Sequence, residues 1–308
     1  MTRRRRGLPV HGWIVLDKPS GLSSSRAVSA VRRLLDAAKA GHGGTLDPLA
    51  TGVLPIALGE ATKTVAYAMG SRKTYRFTLR WGEARSTDDR EGEVIAASDI
   101  RPSQKEVRAI LPRFTGRIAQ RPPDFSAIKL QGERAYDLAR EGTTPDLAAR
   151  PVEIHGLRLI AMPDPDHADF EAEVGKGTYI RALGRDLGLA MRCYAHVAEL
   201  RRLAVGRFTL DTAISLDKLE GVGHSPAASG HLLPIETALD DIPALALSGV
   251  EAEALRCGRV VTPLRPSDRA RIDLLEDGAT IRATSDGRLV ALAAIDKGVI
   301  RPVRVINF

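Results

Sequence analysis

The segment KTYRFTLRWGE, residues 73–83, sets Tyr75, Phe77 and Leu79 at every second position with polar residues between them. A period of two puts those side chains on one face of an extended chain, whereas a helix would scatter them, so the segment predicts a strand. GWIVLDKPSG, residues 12–21, predicts a second strand stopped by a Pro-Ser-Gly turn. SSSRAVSAVRRLLDAAKA, residues 23–40, places Val28, Val31, Leu34 and Leu35 at helical spacing behind serines suited to a cap. LPIALGEATKTVAYAM, residues 54–69, reads as mostly helical, and SQKEVRAILPRF as a short helix with Ser103 near its cap. EARSTDDREGEVI reads as a polar loop leading into a strand. QRPPDFSAIKLQGERAYDLAREG begins extended at its prolines and ends helical. VEIHGLRLIAM and DFEAEVGKGTYIRAL read as strands, and IRALGRDLGLAMRCYAHVAELRRL, residues 180–203, as a helix with a break near Gly188. Strands and helices mix without a βαβ repeat, which predicts an α+β fold with a mainly antiparallel mixed sheet and flanking helices. Past residue 240 the texture changes. After one short helix, GVEAEALRCG, come RVVTPL, ARIDLLED, ATIRATSDG, RLVALAAID and IRPVRVIN, short strands with turns at Asp-Gly and Lys-Gly. These predict a small C-terminal β-barrel, hence a division into 1–240 and 241–308 after a loop at 221–230.

Lys plus Arg number 45 against 38 Asp plus Glu, a net charge of +7. That excess suits a polyanionic partner, as do the arginines at 3–6 and the face formed by Arg26, Arg32, Arg33 and Lys39. Cys193 and Cys257 lie far apart with no CxxC, which points to a reducing compartment. No apolar run approaches the ~18 residues of a membrane span. WIVL is too short for a signal-peptide core, so the expected location is the cytoplasm.

Chemistry concentrates in GHGGTLDPLATGVLPIALGEATK, residues 41–63. Its glycines are not followed by GK[ST], no GxGxxG follows a strand, and no GxSxG elbow is present. Seven histidines are scattered without HExxH or a Cys/His cluster, which argues against a metal site. What remains is a lone acid, Asp47, between glycines and Pro48. On that local pattern alone it reads as a turn or helix cap.

The same loop closely resembles the signature of TruB-type tRNA pseudouridine synthases, in which it carries the aspartate shared by these enzymes. The resemblance extends through GWIVLDKPSGLSSS, KTYRFTLRWGEARSTDDREGEV, RPPDFSAIKLQGERAYDLAREG, VGKGTYIRALGRDLG and AHVAELRRLAVGRF, in order along nearly the whole chain. The tail resembles a PUA domain, a small RNA-binding barrel. The resemblance implies the pseudouridine synthase fold and isomerisation of uridine 55 in the tRNA T loop. Nothing is added and no oxidation state changes overall, so no cofactor is implied. It implies Asp47 as nucleophile toward ribose C1′ or uracil C6, Arg181 as its guanidinium partner, and Tyr75 as a ring stacked on the target base and the group that removes the C5 proton. Tyr179 and Leu200 would line the uracil pocket, although a buried leucine is also ordinary core. His42 would fill space beside the flipped base, and Asp89, next to Asp88, would contact another extruded base. Lys63 and Lys129 match basic positions with structural or phosphate roles. The implied partner is the T arm of tRNA, with no obligate protein partner, no membrane and a monomeric state. Two other readings are an RNA-folding chaperone in which catalysis is secondary, and a relative of the RNA-guided enzymes that modify ribosomal RNA. The second is disfavoured by the short N-terminus and the lack of Lys-rich tails. Residues 221–234 match nothing in the family pattern.

Overall fold

The computed structural model describes residues 7–126, 128–130, 132–141, 145–223, 230–262, 269 and 275–307. The arginine run at 3–6 and parts of the 221–234 segment and of the expected strands RVVTPL and ARIDLLED therefore lie outside the described residues.

The large sheet has ten strands. They are β1 (Gly12–Lys18), β2 (Ala40–His42), β3 (Thr51–Leu58), β4 (Lys73–Trp81), β7 (Gly116–Gln120), β10 (Arg150–Asp164), β11 (His167–Val174), β12 (Ala195–Val205), β13 (Phe208–Thr209) and β14 (Ile214–Ser215). Two small hairpins, β5 (Glu83–Arg85) with β6 (Val94–Ala97) and β8 (Lys129–Leu130) with β9 (Glu133–Arg134), complete this part. The order is β14-β1-β3-β12-β4-β11-β10-β7, with β2 on β3 and β13 on β12. Among the described residues of this sheet only β1–β14 and β3–β12 run parallel, so the expected mixed, mainly antiparallel sheet is present.

Central strands are buried on both faces, which is why WIVL is a run and not an alternation. Ile14 and Leu16 join one apolar cluster, with Ala27 and Val31 of α1 (Ser24–Leu34) and Leu183 and Leu187 of α5 (Ile180–Ala190). Trp13 and Val15 point the other way, toward Ala68 of α2 (Val65–Gly70) and Phe208. Three further short helices are α3 (Gln104–Ile110), which opens on a capping box between Ser103 and Glu106, α4 (Ala135–Arg140) and α6 (Leu216–Val222).

Several stretches differ from the sequence reading: Glu83–Arg85, read as loop, forms β5, and residues 180–183, read also as the end of a strand, open α5. Residues 54–58 are strand, not helix. LPIAL lies in β3 between β1 and β12, and the helical pattern begins only at a 3₁₀ turn over Gly59–Thr64. The helix expected across 180–203 stops at Ala190, Arg192 turns the chain at φ +57°, and AHVAELRRLAV becomes β12, paired to both β3 and β4. These last two are central strands, where pairing on two sides overrides local propensity. Gly188 marks close approach and not a break, since a Cβ there would come within 2.6 Å of the Ala195 backbone nitrogen.

The tail contains the helix Gly249–Arg256 and a four-stranded sheet of β15 (Ala244–Ala246), β16 (Thr280–Ser285), β17 (Arg288–Asp296) and β18 (Val299–Val305) in that order. Among the described residues this sheet is open, so the expected closed barrel is not seen. It has its own apolar cluster around Leu245, Leu255 and Ile281, while Leu289, Leu292 and Ile306 pack with Trp13 and Val53 of the large sheet. Glu60 and Lys63 tie the seam. The Lys63 ammonium donates to Glu60 at 2.6 Å and to the Val305 carbonyl at 2.7 Å, and Asn307 N–H donates to Glu60 at 2.8 Å. The second acid of the 41–63 segment and the basic residue beside it thus hold the tail in place. No described helix is long and apolar enough to cross a membrane.

Candidate active site

Asp47 sits on a loop between β2 and β3 whose carbonyls are tied down one after another. Arg202 of β12, 1% exposed, donates to Gly44 at 3.1 Å, Thr45 at 3.0 Å and Val53 at 2.7 Å. The Ser24 hydroxyl donates to Leu46 O and accepts from Leu46 N–H. Ala50 N–H donates to Asp47 O, Gly21 N–H and the Lys18 ammonium to Pro48 O, and the Ser20 hydroxyl to Leu49 O. A buried carbonyl demands a donor, and here the donors come from three separate stretches of chain. Gly52 is needed for close approach of the Arg202 backbone. Its φ is +99°, and a Cβ would lie 2.2 Å from the Arg202 carbonyl oxygen. Lys18 is fully buried at the end of β1, with its ammonium on Pro19, Leu22 and Pro48 carbonyls. Burial pulls its pKa down to about 8, an effect that Asp47's charge opposes.

Arg181, in the first turn of α5, reaches this loop as a fork. Its Nε donates to Asp47 Oδ2 at 2.9 Å and its Nη2 to Oδ1 at 3.3 Å. Nη1 donates to the Thr87 carbonyl and Nη2 also to the Phe125 carbonyl, each at 2.9 Å. The Arg181 side chain is 6% exposed and that of Asp47 32% exposed, so the carboxylate opens to solvent above a buried guanidinium. Burial alone would lower the Arg181 pKa, but Asp47 and Asp89 outweigh it and hold the pKa above its ordinary value. The guanidinium is a fixed cation, and the carboxylate on its planar fork is fixed in direction.

Asp89 is a second acid on the same cation, 3.6 Å from Arg181 Nε. It is buried, and its Oδ1 accepts from the Thr87 hydroxyl at 2.6 Å and from Glu91 N–H at 3.0 Å. Tyr75 is 9% exposed in β4 and shares an apolar cluster with Leu46, Leu49 and Leu200. Leu200 lies on β12 opposite Phe77, so it is a strand residue and not the helical one expected. Tyr179 precedes α5. Its backbone N–H and carbonyl exchange hydrogen bonds with the Gln120 side chain, and Arg150 lies 5.5 Å from its ring centre. His42 pairs with Ile56 in β2, and its Nδ1 is buried without a hydrogen-bond partner among the described residues. Burial, and then the charge of Arg202, lower its pKa, which favours the neutral ring. The Lys129 side chain lies outside the described ones.

The sequence reading named Asp47, Arg181 and Asp89, and the fold sets both acids on Arg181, although Asp89 was named for contact with an extruded base. It missed the supports: Lys18, Ser24, Arg202 and the Thr87 carbonyl. DKPSG and SSS were visible, but only as a turn and a cap. Arg202 gave no signal, because its neighbours read as a helix.

Residues 32–180 match the model described as TruB family pseudouridylate synthase (N terminal domain), and residues 181–240 that of the tRNA pseudouridylate synthase B C-terminal domain. The chain is 52% identical over 307 residues to the protein named tRNA pseudouridine synthase B from Rhodospirillum rubrum, covering 100% of both. It is 53% identical to that of Caulobacter sp. strain K31, covering 99% of both. Among solved structures it resembles the archaeal box H/ACA sRNP Nop10-Cbf5 complex, with a TM-score of 0.74, 23% identity and coverage of 100% of this chain and 93% of the other, a likeness of fold. With family models spanning residues 32–240 and full-length relatives more than half identical, the chain belongs to the TruB family of pseudouridylate synthases.

Proposed function

We propose that this chain isomerises uridine 55 in the T loop of tRNA to pseudouridine, with Asp47 as the covalent nucleophile. The observation that carries the reading is the Asp47 carboxylate, gripped by the Arg181 fork on a loop with no slack yet still open to solvent. Relatives named tRNA pseudouridine synthase B supply the substrate class, and the T loop comes from the family resemblance. In the reaction the C1′–N1 bond breaks, the uracil turns within the pocket and a C1′–C5 bond forms. N1 gains a proton and C5 loses one. An ionised Asp47 attacks C1′ or C6 and holds the intermediate. Its target is flipped out of the folded T arm and rests against Tyr75, with Tyr179 and Leu200 as further walls. Tyr75 takes the C5 proton. Neutral His42 occupies the space vacated beside the base. Asp89 keeps Arg181 charged and placed. Residues 1–240 carry this chemistry, and 241–308 form a PUA-like module that adds RNA contacts. The protein acts as a monomer.

The test is release of tritium from a T-arm stem-loop labelled at uridine C5, with purified protein and no additive. Stoichiometric release supports the reading, and none above background rejects it. In the same assay, Tyr75→Phe keeps the ring but removes the hydroxyl, so single-turnover release slows by roughly a hundredfold or more with RNA affinity little changed. A wild-type rate would remove the hydroxyl from the mechanism. Arg181→Lys keeps the charge and loses the fork, and Arg181→Met loses both. The expected losses are graded, roughly tenfold for Lys and a hundredfold or more for Met. Normal chemistry with weakened RNA affinity would instead make Arg181 a substrate contact.

A further inference from the structure

Arg181 does not stand alone on α5. Arg185 lies four residues on, on the same helix face, and repeats the same reach. Arg181 donates to the Thr87 carbonyl on one loop and the Phe125 carbonyl on another. Arg185 donates through Nη1 to Asp88 Oδ2 at 3.0 Å on the first of these loops, and through Nη2 to the Arg121 carbonyl at 2.7 Å on the second. Two rungs from one helix thus span the same pair of loops. Asp88 sits at φ +59°, a conformation an L residue adopts at a cost. Its backbone is fixed as well: its N–H donates to Arg85 O, and its carbonyl accepts from Val197 N–H on β12. The turn throws the Asp88 side chain toward Arg185 and the Asp89 side chain toward Arg181, so adjacent acids serve adjacent rungs. Arg185 also meets Asp186 at 2.9 Å.

We propose that Asp88 and Arg185 are a positioning pair, which holds the 86–92 loop against α5 so that Thr87 and Asp89 keep Arg181 aimed at Asp47. The inference rests on the proposed role of Asp47. Neither residue touches the Asp47 carboxylate, so both act through Arg181. The pair is also sensitive to pH. Burial pushes the Asp88 carboxyl up to about 6, against the pull of Arg185 and Arg181, and with some help from Asp186 on α5 and Asp124 on the neighbouring loop. From β12 the facing group is the uncharged Val197 amide. As pH falls through 6 Asp88 takes up a proton and the charge-assisted bond that orients Arg185 becomes a weaker neutral one, even though relief of the buried charge favours the closed loop.

The experiment measures single-turnover tritium release from the T-arm stem-loop, at saturating protein, for wild type, Asp88→Asn, Arg185→Met and the double variant between pH 5 and 8. Thermal melting of each checks folding. Asn mimics the protonated acid. The Asp88→Asn rate at pH 7.5 should therefore fall about tenfold, lose the decline near pH 6, and coincide with the wild-type rate at pH 5. Arg185→Met should show a similar loss, and the double variant no more than the larger single loss, because the two residues make one interaction. A merely structural pair would lower melting temperatures without changing the shape of the pH profile. A wild-type rate and profile in Asp88→Asn, or losses that multiply in the double variant, overturn the proposal. Asp47→Asn is run alongside. If it stays active, the assignment of Asp47 falls and this inference with it. If it is inactive while Asp88→Asn behaves as wild type, only the positioning pair is lost.

Discussion

Asp47→Asn is expected to abolish turnover while leaving the protein folded and bound to RNA. The substitution is nearly isosteric, and the loop carbonyls are held by Lys18, Ser20, Ser24 and Arg202, of which Ser20, Ser24 and Arg202 do not need the Asp47 charge. What disappears is the proposed nucleophile. A step that runs through a covalent intermediate has no substitute for it, so the single-turnover rate should drop by roughly four orders of magnitude or more. Affinity for a T-arm stem-loop, read by filter binding, should stay near that of wild type. The amide still meets Arg181, and phosphate contacts elsewhere supply most of the binding. A rate within tenfold of wild type would end the assignment of Asp47.

Arg202→Met is expected to be the most damaging change outside the chemistry itself. The arginine is buried and meets three carbonyls, two of them in the loop that leads into Asp47. Methionine roughly fills the space and donates nothing. Three buried acceptors lose their partners at about 1 kcal/mol or more each, a total of about 3 kcal/mol. That is a large share of a typical domain's stability, and melting should fall by roughly 6 °C or more. The surviving folded protein should also react slowly, because Gly44 and Thr45 are no longer anchored just before Asp47. A Met variant that melts and reacts as wild type does would show that the loop does not depend on this clamp.

Much of this site was legible as residue types and little of it as support. Asp47, Arg181 and Asp89 lie in segments whose family pattern is strong, and the fold joins them over sequence separations of 134 and more than 90 residues. Strands with clean alternation, such as β4, and runs closed by turns, such as β1, were readable because their burial pattern is written in the sequence. β3 and the start of β12 were not. Their leucines and alanines suit a helix, and only pairing with neighbours on both sides makes them strands. Losing β12 as a strand also hid Arg202 and changed the setting of Leu200. The capping serine Ser23 was readable from its position before α1, but the bond from Ser24 to Leu46 spans 22 residues and has no local signature. Asp88 and Asp89 looked interchangeable in sequence. The positive φ at Asp88 separates them and sends one acid to each arginine.

The central claim is that this chain makes one pseudouridine, at position 55, through Asp47. The most direct measurement incubates an unmodified tRNA transcript with the purified protein and maps pseudouridine along it at single-nucleotide resolution. The account predicts a single modified position, uridine 55, with the same transcript unmodified after incubation with Asp47→Asn. Pseudouridine at another position, none at position 55 with the wild-type protein, or pseudouridine at position 55 after incubation with Asp47→Asn would contradict it.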